Sequence, residues 1–151
     1  MPSPKALVIN VAALAPEHVA RCPNIARLAR DGWAAPMDPV FPAVTCVAQA
    51  TLTTGVPPSR HGIIANGLFD RNTLSVSFWE QSVKLVQAPR MWDLLKQRDP
   101  SKTCAILFWQ LSLYANADVI VTPKPIHEDH GGMIQFYEKL AGVKVRKGGM
   151  A

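Results

Sequence analysis

Residues 41–55, FPAVTCVAQATLTTG, followed at 59–67 by SRHGIIANG, decide how the chain is read. The first stretch reads as a loop that delivers Thr45 to the first turn of a helix. Pro42 cannot sit inside a helix, Thr45 to Thr54 can propagate one with moderate propensity, and Gly55 suits its close. The second stretch brings His61, Gly62, Asn66 and Gly67 back nearby. A hydroxyl at a helix N-terminus faces unpaired backbone N–H groups and the positive end of the helix dipole. An anion can sit there, and an oxygen can become a nucleophile.

Outward from this stretch the pattern alternates between strand and helix. Ala6 to Ala12 is a continuous apolar run, as in a central parallel strand covered on both faces. Pro23 to Arg30 predicts a short helix with Pro23 at its first position and Gly32 at its cap. Trp33 to Met37 and Leu74 to Trp79 suit short strands, and Pro89 to Gln97 suits a helix with an apolar side made by Met91, Trp92, Leu94 and Leu95. Thr103 to Trp109 predicts a second buried strand, Asp118 to Val121 a third, and Met133 to Leu140 a final helix. The expected fold class is α/β, a mainly parallel sheet flanked by helices. The domain is expected over residues 1–142, with 143–151 a basic tail.

The chain has 151 residues, 48% of them apolar and 18% charged, which suits a globular domain and excludes disorder. The formal net charge is +5. Apart from Lys144, Arg146 and Lys147 the basic residues are scattered, which favours a small anionic substrate over nucleic acid. No apolar run reaches the roughly 20 residues a bilayer span needs, so no membrane partner is expected. The run Ala6 to Ala15 is interrupted by Asn10 and reads as a strand rather than a signal-peptide core. Cys22, Cys46 and Cys104 are widely spaced, an odd count with no C-x-x-C pair, which points to a reducing, cytoplasmic setting.

With these residues in view, the chain resembles the N-terminal part of the type I phosphodiesterase/nucleotide pyrophosphatase family, within the alkaline phosphatase superfamily. The resemblance is carried by CPNIARLARDG at 22–32, FPAVT at 41–45, TGVPPSRHGIIANG at 54–67, MWDLLK at 91–96 and CAILFW at 104–109, roughly the first three-quarters of the chain. It implies the N-terminal part of an alkaline phosphatase-like fold, incomplete here. It also implies a phosphodiester or pyrophosphate hydrolase that uses a threonine nucleophile and two zinc ions on a small phosphoric ester such as a nucleotide. By the same resemblance Thr45 is the nucleophile and a zinc ligand. Asn66 binds the phosphoryl oxygens, with the N–H groups of Thr45 and Cys46 as further donors. The first-strand aspartate that ligates zinc in the family is matched by Asn10, whose neutral amide binds zinc far less well than a carboxylate.

Other ligand motifs of the family are not matched after Thr45. Asp129-His130-Gly131 spells D-H-G but arrives early, with no earlier ligand pair and no later histidine, and an exposed turn leading into a helix with Asp129 near its N-cap is the better reading of it. His127 with His130 gives an i, i+3 pair without a third ligand. His61 reads as a residue that hydrogen-bonds its own loop in place, and His18 takes no role. Cys46 reads as a buried small hydrophobe; Trp79 or Trp109 could line a cleft, and the remaining tryptophans pack. Two readings therefore stand: a metal-dependent hydrolase, as a truncated member, or a non-catalytic fragment or pseudoenzyme that lacks the full metal shell.

Overall fold

The computed structural model describes residues 5–126 and 133–139, with side chains over 5–122. The chain divides into two compact units, Met1–Asp38 and Pro39–Ala151. In the first unit, α1 (Pro16–Val19) and α2 (Pro23–Asp31) each begin on a proline, whose fixed φ and missing N–H suit that position. The Ala6–Ala12 segment is not the buried strand its composition predicts. It has no regular secondary structure, and Leu7, Val8, Ile9 and Val11 are exposed. A parallel strand is buried only when neighbours flank it, and no ladder among the described residues includes this segment. Residues 33–37 likewise form no strand.

The second unit opens with α3 (Thr45–Thr54), which ends on Gly55 in the left-handed region at φ 70°. The bond Phe41–Pro42 is cis. Threonines are weak helix formers, but two of them here bond back to the helix. Thr53 Oγ1 donates to the Gln49 carbonyl at 2.7 Å, and Thr54 Oγ1 to that of Ala50 at 2.7 Å. Cys46, Val47 and Ala50 form the buried face of α3 and join Ile63 and Leu111 in one apolar cluster. The short helix α4 (Pro58–His61) ends on Gly62, and a hairpin of β1 (Gly67–Asp70) and β2 (Ser75–Phe78) follows. Leu68 packs the hairpin onto the α3 cluster, while Phe69, Val76 and Phe78 face outward.

After a 3-10 turn at Val83–Leu85, α5 (Met91–Arg98) brings buried Trp92 into a second cluster with Ile106, Ala115, Ala117 and Ile120. Its N-terminus is closed by Asp93 Oδ2, which accepts the Arg90 N–H at 2.9 Å. Strands β3 (Ala105–Leu107), β4 (Val119–Ile126) and β5 (Met133–Lys139) form a sheet in that order. The pair β3–β4 is parallel and β4–β5 is antiparallel. Asp118 Oδ2 accepts the Cys104 N–H at 2.7 Å and pairs with Lys96 Nζ at 2.7 Å, which ties α5 to the start of this sheet.

Mixed helix and strand is thus the architecture, while mainly parallel order extends only to β3–β4 among the described residues. The expected final helix is instead β5. Six residues between β4 and β5 leave no length for a helical crossover, so the chain must return antiparallel. Ile134, Phe136 and Tyr137 suit a pleated surface as well as a helix. The strand expected to be buried over 103–109 has only Ile106 buried, because α5 packs one face of it. Residues 143–151, His127 and the Asp129-His130-Gly131 motif lie outside the described residues.

Two glycines test the backbone logic separately. Gly62 has φ 81°, and a Cβ there would meet the Gln87 side chain at 2.8 Å, whereas Gly55 at φ 70° has open space. Gly55→Ala should cost about 1 kcal/mol, the left-handed penalty alone. Gly62→Ala should cost more than that by urea denaturation, since Gln87 must also move.

Candidate active site

Thr45 is the first residue of α3 and is exposed to solvent. It owes that place to the Phe41–Val44 loop, where the Val44 N–H turns back on the Pro42 carbonyl at 2.9 Å and the Val44 carbonyl accepts the first helical bond from Ala48. Asn66 is half-buried and meets the same helix end. The Cys46 N–H donates to Asn66 Oδ1 at 2.9 Å. A backbone N–H can only donate, so the amide oxygen faces the helix and the Nδ2 donors face away from it. The Asn66 main chain is fixed too, its carbonyl accepting the Trp79 N–H at 3.0 Å. Thr45 and Asn66, 21 residues apart in sequence, therefore share one helix terminus. The Cys46 N–H is spent on Asn66, which removes it from the donors expected for phosphoryl oxygens and leaves Thr45 N–H and Asn66 Nδ2.

His61 determines where that loop lies. It is wholly buried, and its Nδ1 accepts the Ile63 N–H at 3.1 Å. Nδ1 is therefore unprotonated, and the Nε2–H donates to Thr51 Oγ1 on α3 at 2.9 Å. The His61 carbonyl accepts the Gln87 N–H at 3.0 Å. Burial pushes the imidazole pKa below its ordinary value, its own backbone hydrogen bond opposes this, and the Arg90 charge adds to the lowering. His61 thus holds the loop as its motif suggests, and reaches the helix as well.

Cys46 is 2% exposed, and burial pushes its thiol up to about 11, with Arg90 pulling the other way. It is protonated at neutral pH and packs as a small hydrophobe, as expected. Beside it lies a small depression lined by Ile63, Ala65, Asn66, Leu68, Leu111 and Glu80. Asn10 belongs to the first unit, in the irregular segment that precedes α1. No group of three or more His, Cys, Asp or Glu able to hold a metal ion occurs among the described residues. Trp92 is core, Trp33 and Trp79 are exposed, and Trp109 is half-buried.

One residue central to this region escaped the sequence reading. Arg90 is 0% exposed; its Nε donates to Thr53 Oγ1 on α3 at 2.8 Å, and Nη1 to the carbonyls of Leu111 at 2.6 Å and Gln110 at 3.2 Å. The available signal was a cation immediately before a helix, where an exposed charge of that sign opposes the dipole.

The family model of Type I phosphodiesterase / nucleotide pyrophosphatase matches residues 6–146. The chain belongs to this family. No curated protein and no solved structure matches it. In this family member no helix among the described residues is long and apolar enough to cross a membrane.

The His61 tautomer has a pH consequence. An imidazolium would set Nδ1–H against the Ile63 N–H, so the fold holds the neutral form and lowers the pKa. The unfolded chain then binds the proton first, at about pH 6.5. This contribution is complete above about pH 6.5 and is lost as pH falls toward the lower folded-state pKa. Urea midpoints should decline over that window, and less steeply in His61→Gln.

Proposed function

We propose that the protein is a metal-dependent phosphoric-ester hydrolase of the phosphodiester or pyrophosphate class, with Thr45 as nucleophile and Asn66 as phosphoryl-oxygen donor. The observation that carries this is the shared helix end: an exposed threonine hydroxyl beside an asparagine whose oxygen is engaged by Cys46 N–H and whose Nδ2 donors point away. Family membership supplies the reaction class. A small anionic ester such as a nucleotide suits a site built from N–H donors at a helix N-terminus.

In this reading Thr45 Oγ attacks phosphorus in line, the ester or anhydride oxygen leaves, and water then hydrolyses the phosphothreonine to regenerate the hydroxyl. Charge that builds on the equatorial oxygens meets Asn66 Nδ2 and the Thr45 N–H. The hydroxyl proton needs a base, or a metal that stabilises the alkoxide. His61 is not that base, because it is buried and Nδ1 already accepts the Ile63 N–H. Metal dependence rests on this need and on the family. The described donors do not fit a zinc pair: Thr45 and Asn10 are neutral, and the Asp129-His130 pair lies outside the described residues.

One observation favours a second reading, a non-catalytic member: asparagine at position 10, where the resemblance expects a carboxylate. Zinc titration by calorimetry separates the two, since tight stoichiometric binding is expected of the hydrolase and none of the pseudoenzyme. With zinc present, the hydrolase should cleave an aryl phosphodiester. Thr45→Ala should abolish turnover, and Asn66→Ala should lower kcat by roughly 10²–10³-fold, the usual cost of one oxyanion donor. Full activity in Thr45→Ala would sink the nucleophile assignment.

A further inference from the structure

Arg90 is buried without an ion pair among the described residues. Its only close acidic neighbour on α5, Asp93, uses Oδ2 to accept Arg90's own backbone N–H. The guanidinium instead lies over the Trp92 ring at 4.2 Å from its centroid. Its hydrogen bonds go to neutral oxygens, those of Thr53 on α3 and of the Gln110 and Leu111 carbonyls. Nη2 and Trp92 Nε1 have no hydrogen-bond partner among the described residues. Burying a cation without a carboxylate is costly, and neutral acceptors only partly offset that cost. The lost solvation shows in its pKa, which burial draws down to about 10. At neutral pH the group is still a full positive charge inside the protein.

The placement of that charge is informative. Leu111 is both the acceptor of the shortest Arg90 bond and a wall of the depression that holds Cys46 and Asn66. Leu111 has φ 57°, a left-handed conformation that a leucine keeps only where its surroundings dictate it. Arg90 supplies one such restraint through the carbonyl. Gln81 supplies another, with Oε1 accepting the Leu111 N–H at 2.8 Å. The same charge adds to the lowering of the His61 pKa. Arg90 therefore links α3, through Thr53, to Leu111 in the wall of the depression, and it is a buried cation beside both.

We propose that Arg90 is a positioning residue for the phosphoryl site: it fixes the Leu111 wall against α3, and its uncompensated charge favours a phosphoryl anion at the Thr45 end of that helix. This rests on the hydrolase reading for the identity of the anion, and on Arg90's own contacts for the rest. The fork cannot be reproduced by lysine, whose ammonium is a point charge, nor the charge by glutamine, whose amide only donates and accepts. Those two substitutions separate geometry from charge.

The test is a calorimetric titration of inorganic phosphate into the wild-type protein, Arg90→Gln and Arg90→Lys, with the His61 pKa followed by NMR in each. Arg90→Gln should weaken phosphate binding by roughly tenfold, the effect of one unit charge through a mostly buried path, and Arg90→Lys by less. The His61 pKa should rise in Arg90→Gln and stay low in Arg90→Lys. A packing role alone would lower the melting temperature of both variants and leave phosphate affinity and His61 unmoved, which would overturn the proposal. If Arg90→Gln does not fold, Arg90→Lys decides: loss of phosphate binding equal to that of Asn66→Ala overturns the charge claim. A wild-type protein that binds no phosphate removes the hydrolase reading and the anion together, whereas the His61 comparison still judges the charge of Arg90.

Discussion

The spacing between α3 and the loop that follows it is set by one imidazole with one donor and one acceptor. His61 gives its proton to Thr51 on the helix and takes one from Ile63 in the loop, so it must be neutral and must face in one direction only. Everything downstream inherits that geometry. Asn66 lies three residues beyond Ile63, which His61 ties to α3, and it meets the Cys46 N–H on that helix. Gly62 is needed in the same turn, since the chain must reverse at φ 81° with the Gln87 side chain against it. The Thr45 site is thus less a property of the threonine than of how tightly residues 61–66 are returned to its helix.

Much of this was legible in the sequence, and the reason is local. Thr45, the helix behind it, Gly55 and the H-G-I-I-A-N loop are specified by short-range chemistry: proline exclusion, a capping glycine, and side chains that bond within a few residues. The hairpin strand at 75–78 and the helix at 91–98 were readable by the same means. What failed depended on partners distant in sequence. Ala6–Ala12 has the composition of a central strand, yet composition names no neighbour to pair with. Met133–Lys139 carries residues that suit helix and strand alike, and the short return from β4 decides between them. Arg90 is the extreme case, since its partners are 20, 21 and 37 residues away and none is charged.

The electrostatics of the region follow from the same contrast. Apart from Glu80 in the lining of the depression, its local members are neutral: Thr45 and Asn66 carry no charge, His61 is held unprotonated, and the Cys46 thiol is raised to about 11. Such groups can bond an anion but attract it weakly from water. The dipole of α3 adds about half a charge at its N-terminus, and that effect fades within a turn. A buried guanidinium behaves differently. Its field runs through low-dielectric protein and is screened little by salt, so in the proposed reading it reaches the Thr45 end from its bond to Thr53 near the other end of α3.

This also explains why so costly a group persists beside a core of alanine, valine and leucine. A hydrophobic residue of Arg90's volume would pack against Trp92 and often be no less stable than a buried ion. It could not hold Thr53, Gln110 and Leu111 at once, and Leu111 would lose one of the bonds that keep it at positive φ. Stability alone gives a hydrophobic residue no clear disadvantage here, while the contacts to Thr53, Gln110 and Leu111, and the phosphoryl site proposed above, both favour arginine. The contacts account for the fork, and the proposed anion site accounts for keeping its charge without a carboxylate among the described residues.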